Sequence, residues 1–162
     1  MSAILSSEII ELLNSAETVK VLASVDIQGV PHAVIKGSLH AAEDGKIHLL
    51  ERFEASTSGR NLTASLWFDR RVAILLFDRD GRKAIQIKGK PLKCHISGPL
   101  FLRHYAEIRK RPDNGSLAGV WVIEPEEVID ESFAERKARE QSEHPVFTHL
   151  DLIAKPLEKT AA

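Results

Sequence analysis

Apolar and polar residues alternate along several short segments of the chain, and a period of two predicts β-strands. The alternation is clearest at Val19–Val25, where Lys20 and Ser24 stand between valine and alanine residues. Other segments are rich in valine, isoleucine and leucine and are bounded by turn-forming residues. The predicted strands are 19–25, about 32–42, 46–52, 71–78, 83–96 and 117–123, the last continued by Val128-Ile129.

The residues between these segments predict how the strands are connected. Gln28-Gly29, Asp44-Gly45 and Asp80-Gly81 are typical of tight turns. Such turns join antiparallel neighbours, and closing the resulting sheet removes its exposed edges. Gly89 lies inside the longest predicted strand and indicates a β-bulge there. We therefore expect a mainly β protein with short helices, built as a six-stranded antiparallel barrel that is closed or partly closed.

A wider spacing of apolar residues, near 3.6, predicts short helices around this barrel. The predicted helices are 7–15, 58–67, a segment opened by Ser97-Gly98-Pro99, and the charged stretch 131–142. Ser7 is a suitable N-cap for the first of them, and Pro145 and Pro156 predict an extended tail after the last. We expect residues 1–130 to form the barrel domain. Residues 131–162 are then a C-terminal helix and tail, which belong to the same domain or form a dimer arm.

Composition narrows the class of protein. The chain has 162 residues and a net charge of −1, so no overall field draws it to nucleic acid or to an anionic membrane. Its single cysteine, Cys94, allows neither an internal disulfide nor a cysteine-based zinc cage. Glu8 and Glu11 interrupt the apolar N-terminus, which is therefore not typical of a signal peptide. These features predict a cytoplasmic protein.

The chain has seven histidines, which raises the question of a metal site. His40 and His48 flank Asp44-Gly45. If those two residues form the whole loop, His40 lies opposite Leu49 and His48 lies opposite Ala41. The two rings then point to opposite faces of the sheet. The spacing of the remaining histidines matches no ligand pattern, so the sequence predicts no metal site.

The segment Ser56-Thr57-Ser58 is the most informative one for binding, because it follows a strand and opens a helix. Backbone N–H groups at a helix start attract anions, and the hydroxyls add further donors. Gly59 allows close approach of the backbone, and Arg60 adds a positive charge. The residues alone leave two interpretations open, a phosphate cradle and an ordinary Ser/Thr helix cap.

Taken together, the motifs resemble those of the FMN-binding split barrels, a superfamily that includes pyridoxamine 5′-phosphate oxidase and small bacterial FMN-binding proteins. The resemblance extends over residues 18–128 approximately and depends mainly on the order of its motifs. They are Gly29-x-Pro31-His32, Asp44-Gly45, Ser56-Thr57-Ser58, Asn61-Leu62, Arg71-Val72-Ala73-Ile74-Leu75 and Ile85-Gln86-Ile87-Lys88-Gly89-Lys90. It implies a six-stranded split barrel that binds FMN at the interface of a homodimer.

The resemblance also implies a set of cofactor-binding residues. The phosphate would be held at the start of the helix, where Arg60 replaces the basic pair usual in the family. The second and third strands would lie along the edge of the flavin ring. The family's glutamine in the fifth strand falls on Ala84 here, and Gln86, two residues later on the same face, is the candidate to replace it. The implied residues are Val34, Ile35, Lys36, Leu49, Leu50, Glu51, Ser56, Thr57, Ser58, Arg60 and Gln86.

Three functions are compatible with this resemblance. The first is an FMN-dependent oxidoreductase or flavin reductase acting on a small molecule. The second is a non-catalytic FMN-binding or electron-transfer protein, and the third is a split barrel that binds haem through one of its histidines. The oxidase's Trp and Arg-x-His substrate clamp are absent after Asp130, so we expect no vitamin B6 oxidation. No catalytic residue is assigned, and no nucleic-acid or membrane partner is expected.

Overall fold

The computed structural model describes residues 4–80, 82–112, 115–146 and 153. Across these residues, seven strands form one antiparallel sheet, and the same residues form four helices. The strands are β1 Val19–Val25, β2 Pro31–Ile35, β3 His40–Ala41, β4 Ile47–Glu51, β5 Val72–Phe77, β6 Ala84–His95 and β7 Gly119–Asp130. The helices are α1 Ser7–Asn14, α2 Thr57–Trp67, α3 Gly98–Arg109 and α4 Phe133–Glu143.

The order of the strands shows that the sheet is curled. It runs β2-β1-β5-β6-β7-β4-β3, so the two edge strands, β2 and β3, follow each other directly in the chain. Only residues 36–39 connect them, in a turn closed by the Leu39 N–H donating to the Lys36 carbonyl at 3.1 Å. A four-residue link cannot span a flat seven-stranded sheet, because strands lie about 4.8 Å apart. The two edges therefore approach each other, as in a split barrel.

The predicted number of six strands is wrong. The segment predicted as one strand, 32–42, is two strands that pair with opposite ends of the sheet. β2 pairs with β1, and β3 pairs with β4. The break falls at the Lys36–Leu39 turn, whose centre is Gly37-Ser38. Alternating polarity continues through this turn, which is why the pattern alone did not reveal it.

The inner face of the curled sheet forms the main core together with α1 and α2. Its alternate residues are fully buried on β1, β5 and β6, as a half-exposed sheet requires. The fully buried apolar side chains of this core are Leu13, Leu22, Leu39, Ile47, Leu49, Leu62, Ile74, Leu76, Ile87 and Ile123. The outer face of β1 and β5 is only partly covered.

Several local predictions can be compared directly with the fold. The bulge at Gly89 is confirmed, because the β6–β7 register shifts between Lys88 and Gly89. The cap of α1 is Ser6 and not Ser7, since the Ser6 hydroxyl accepts from the Ile9 N–H at 3.4 Å. In the predicted Asp80-Gly81 turn, Gly81 lies outside the described residues.

The C-terminal part beyond the sheet is a charged helix. α4 has no buried residue, and its start is tied to β6 through the Ala84 N–H, which donates to the Ser132 hydroxyl at 3.1 Å. Pro145, Val146 and Ile153 have helical backbone, and the remainder of the predicted extended tail lies outside the described residues. None of the helices described is long and apolar enough to cross a membrane.

Candidate functional site

A large cleft, which we call the main cleft, lies where β2 leaves the sheet and meets the end of β4. Its volume is about 870 Å³, within the usual range for a small-molecule site. β2 and the turn after it form one wall, the end of β4 and the start of α2 form a second, and α3 forms the third. The curl of the sheet thus brings together segments that are far apart in the strand order.

Most of the residues implied by the family resemblance line this cleft. Those that do are Val34, Ile35, Lys36, Leu50, Glu51, Ser56, Thr57 and Ser58. Leu49 points the other way, into the core, where it is fully buried. Arg60 and Gln86 are not among the lining residues. The assignment of all these residues to a cofactor stays a prediction.

A buried ion pair lies in the wall of the main cleft. Lys36 Nζ is 2.7 Å from Glu51 Oε2, and the two side chains are 14% and 5% exposed. The other carboxylate oxygen accepts from the backbone N–H groups of Arg52 and Phe53 at 3.1 and 3.3 Å. Burial raises the pKa of Glu51, but hydrogen bonds from Lys36 and Ser56 outweigh it, so the pKa lies below its usual value. Glu51 is therefore ionised at neutral pH.

The hydroxyls at the start of α2 have separate partners. Ser56 caps the helix, since its Oγ accepts from the Gly59 N–H at 2.9 Å. Ser58 is buried and donates to Glu51 Oε2 at 3.4 Å. The exposed Arg60 guanidinium donates to the Ala55 carbonyl and to Thr57 Oγ1, at 3.0 and 3.2 Å. The helix-cap interpretation therefore holds for Ser56, while Thr57 and Arg60 stand together at the rim of the cleft.

Positive charge predominates in the main cleft, although the chain as a whole carries −1. Among its described lining residues, four are lysine or arginine and two are glutamate. The cationic ones are Lys20, Lys36, Arg52 and Arg111, and the acidic ones are Glu51 and Glu107. Lys20 is nearly buried and donates to the Leu39 carbonyl at 3.0 Å, and burial lowers its pKa. This local excess suits an anionic ligand.

Gln86 lies on the outer face of the sheet and not in the cleft. It pairs with Leu75 across β5 and β6, and Leu75 pairs in turn with Val21, which pairs with Ile35. Directly opposed residues of antiparallel strands point to the same face. Val21, Ile35, Leu75 and Gln86 therefore form one row across four strands, which we call the outer row. Ile35 is 68% exposed and Leu75 is 36% exposed.

The sequence-based placement of His40 and His48 on opposite faces is wrong. The loop between β3 and β4 has three residues and not two, because the Ala42 N–H donates to the Lys46 carbonyl at 2.8 Å. Gly45 has a φ of +78°, the left-handed conformation that ends such a loop. His40 consequently pairs with His48 directly. A slip of one residue reverses the face of every side chain that follows, so both rings share a face.

His104 from α3 joins these two rings and completes a cluster, which we call the histidine cluster. The ring centroids are 5.3 to 5.9 Å apart, and one ring nitrogen from each residue lies within 4.8 Å of the others. Burial and then His40 lower the pKa of His48 to about 4, and the same two causes, in that order, lower the pKa of His104. Both rings are therefore neutral at pH 7.

The histidine cluster separates two clefts. His40 and His104 line the main cleft, and all three histidines line a second cleft of about 700 Å³. His104 is 56 residues from His48 in the sequence, so spacing could not have included it. The glycine at the third position of a three-residue loop is the one local signal that could have indicated the correct register.

The fold occurs in solved structures of low sequence identity. HupZ of Group A Streptococcus gives a TM-score of 0.66 at 17% identity, over 80% of this chain and 96% of that one. An FMN-binding protein from Syntrophomonas wolfei gives 0.59 at 16% identity, over 76% and 84%. HutZ of Vibrio cholerae, named as a heme storage protein, gives 0.56 at 17% identity, over 79% and 95%.

The similarity to known proteins is found in structure and not in sequence. No protein-family model matches the chain, and no curated protein matches it. Pyridoxamine 5′-phosphate oxidase-like proteins and an F420 reductase are also among the structures that share the fold. The curled antiparallel sheet, its strand order and these structural similarities together show that the chain has the fold of the FMN-binding split-barrel superfamily.

Proposed function

We propose that the protein is a flavoprotein that binds FMN in the main cleft and uses it in an oxidoreductase or flavin reductase reaction. The observation that carries this proposal is the main cleft itself. It gathers the end of β2, the end of β4 and the start of α2 around a space of suitable size with an excess of positive charge. The solved structures with this fold include an FMN-binding protein.

The residues present fit the two chemically different parts of FMN. Thr57 and Arg60 stand at the rim where α2 begins, and the helix start and the guanidinium both favour a phosphate. Val34 and Leu50 offer apolar side chains in the same cleft for a flat ring. Bound FMN would supply hydride or electron transfer. The chain's contribution is to hold and orient the cofactor and to limit access of water.

The ion pair between Lys36 and Glu51 also has a role in this proposal. Because Glu51 neutralises Lys36, the pair adds little net charge to the cleft, and its rigid hydrogen bonds fix the end of β4 against the start of α2. A phosphate at the rim then relies on the remaining cations of the cleft. The ammonium of Lys36 also offsets the negative charge of Glu51, which limits the repulsion between this carboxylate and a phosphate bound nearby.

A homodimer is part of the proposal, and the outer row supports it. Its apolar members lie on the partly covered outer face of β1, β2 and β5, and Phe77, 42% exposed, extends the apolar area along β5. Burying such a surface against a second copy is favourable by about 25 cal/mol per Å². Ile35 belongs to the outer row and also lines the main cleft, so this dimer would bring its interface next to the cofactor.

The phosphate assignment is tested by comparing FMN with riboflavin, which lacks the phosphate. We expect Arg60→Ala to weaken FMN binding by about ten- to a hundredfold, because a hydrogen bond to a charged group contributes about 1.5–3 kcal/mol. Riboflavin binding should change little. Arg79→Ala, at an exposed arginine outside the cleft, is the matched control. Fluorescence titration of both ligands measures the effect, and an unchanged preference for FMN in folded Arg60→Ala would remove this segment from the site.

The dimer is tested by placing a charge in the outer row. We expect Leu75→Glu to shift the protein from dimer to monomer in sedimentation velocity and to lower its affinity for FMN. Leu102→Glu, at an exposed leucine on α3, is the control for adding the same charge elsewhere. A wild-type protein that is monomeric with FMN bound would contradict the interface, although it would leave the cleft as a binding site.

Haem binding is the second candidate, because His32, His40 and His104 line the main cleft and could serve as axial ligands. HutZ, a protein with this fold, is named for heme storage. The absorbance spectrum of the purified protein separates the two candidates, since flavin and haem have different bands. A Soret band at one haem per chain, with no flavin bound, would replace the first proposal by the second.

A further inference from the structure

The histidine cluster is the second chemically organised feature of the molecule, and its existence depends on neither flavin nor haem. It comes from two adjacent strands and one helix, so three separate elements hold its members in place. His40 and His104 are half-buried and His48 is buried, with 7% of its surface exposed. Side chains with this degree of burial are held in place by packing, which lowers the entropy lost when they bind a common ligand.

The hydrogen bond of His40 determines which of its nitrogens is free to bind. Nδ1 lies 2.9 Å from the Ser38 carbonyl oxygen. A carbonyl oxygen can only accept, so Nδ1 donates to it, and Nε2 is the ring nitrogen left to bind a ligand. This arrangement, in which one ring nitrogen donates to a carbonyl and the other binds, is common among metal-binding histidines.

The distances within the cluster are close to those of a coordinated ion. Zn–N bonds are about 2.0–2.1 Å long, so the nitrogens of a tetrahedral site are about 3.3 Å apart. In this cluster, one ring nitrogen of each histidine lies within 4.8 Å of the nitrogens of the other two. Coordination of one ion would therefore require the nitrogens to approach one another by at most about 1.5 Å.

From this geometry we propose that His40, His48 and His104 form a binding site for one divalent ion of the zinc class. Imidazole nitrogens suit zinc, copper and nickel, whereas magnesium and calcium require oxygen ligands. Three protein ligands leave a fourth position open to the second cleft, as in zinc sites that bind a water molecule or a small anion there. The site is independent of the cofactor proposal, although His40 and His104 are shared with the wall of the main cleft.

The alternative is that the three rings pack only with one another. Their mutual angles of 63° to 83° correspond to edge-to-face contacts, which are favourable by themselves. Such packing needs no metal and would be insensitive to zinc. The two interpretations therefore differ in what zinc does to the protein.

The experiment uses the full chain without a histidine tag, treated with a chelator and then titrated with Zn²⁺ by calorimetry. We expect one ion per chain and a rise in the melting temperature with zinc, because a ligand bound only to the folded state stabilises it. Titration with Co²⁺ should give the visible absorption of a tetrahedral or five-coordinate ion. Absence of one-to-one binding, or an octahedral cobalt spectrum, would overturn the proposal.

Variants connect the binding to the three residues. We expect His104→Ala, a change at a half-buried position on α3, to lower zinc affinity by at least about a hundredfold and to abolish the thermal shift. His40→Gln tests a second ligand if His48→Ala does not fold. The control is His144→Ala, at an exposed histidine that ends α4. Unchanged zinc binding in His104→Ala, or equal loss in His144→Ala, would refute the assignment.

Failure of this proposal can be told apart from failure of the proposed function. Zinc binding is measured without added flavin, and FMN binding is measured on chelator-treated protein. A protein that binds FMN but not zinc would overturn only the metal site. One that binds zinc through the three histidines but not FMN would support the metal site and contradict the flavin proposal.

Discussion

Removal of one member of the buried ion pair between Lys36 and Glu51 should have a large effect on stability. Glu51→Ala leaves the Lys36 ammonium in a wall where its side chain is only 14% exposed. It also removes the acceptor for the N–H groups of Arg52 and Phe53 and for the Ser58 hydroxyl. Breaking a buried pair by deleting one partner costs about 3–5 kcal/mol. For a domain of this size, that lowers the melting temperature by roughly 6–20 °C.

The assay is urea unfolding of a double-mutant cycle. Lys36→Met and Glu51→Met are each expected to destabilise the protein strongly, because each leaves one charge buried without its partner. The double variant should lose less stability than the two single variants together, and the difference is a coupling energy of about 0.5–3 kcal/mol. Stability that is still missing in the double variant is attributed to the backbone N–H groups of Arg52 and Phe53, because they have lost the carboxylate as acceptor.

The same pair predicts how stability changes with pH. The pKa of Glu51 is lower in the folded protein than in the unfolded chain. The contribution of Glu51 to stability is therefore fully present above its pKa in the unfolded chain, which is about 4.3. That contribution is lost as the pH falls through the folded pKa, because protonation breaks the pair. Glu51→Gln should therefore flatten the loss of stability below about pH 4.5. A Glu51→Gln protein with wild-type stability and wild-type acid dependence would refute this reasoning.

Two further predictions concern the packing of the sheet. Gly89→Ala should destabilise the protein by about 1–3 kcal/mol, because a Cβ there would lie 2.8 Å from the Glu124 carbonyl oxygen. The control is Gly37→Ala, where a Cβ meets nothing within 4 Å, and equal urea midpoints for the two variants would contradict the bulge geometry. Asn61→Ala should lower the free energy of unfolding by about 1–3 kcal/mol, because the buried Asn61 amide donates to the Ser24 hydroxyl at 3.1 Å. A melting temperature equal to that of the wild type would show that this hydrogen bond does not stabilise the fold.

The elements of the fold were accessible from the sequence because they depend on local chemistry. Alternating polarity at Val19–Val25 arises when one face of a strand is buried, and the strand is found with those bounds. The glycine at position 89 marked the bulge, and a Cβ at this position would lie 2.8 Å from the Glu124 carbonyl oxygen. The order of motifs likewise indicated the split-barrel fold, and most of the residues implied for the cofactor line one cleft.

The arrangements that bear on function were decided by contacts between distant segments. Lys36 meets Glu51 because the edges of the sheet curl together, and His104 meets His48 because α3 packs over β6 and β7. The register of the β3–β4 hairpin depended on the backbone conformation of one residue, Gly45. Polarity along the chain records which residues are buried, but not which loop length closes a hairpin. Since a change of one residue in that loop reverses the face of His48, only the tertiary structure could bring the histidine cluster together.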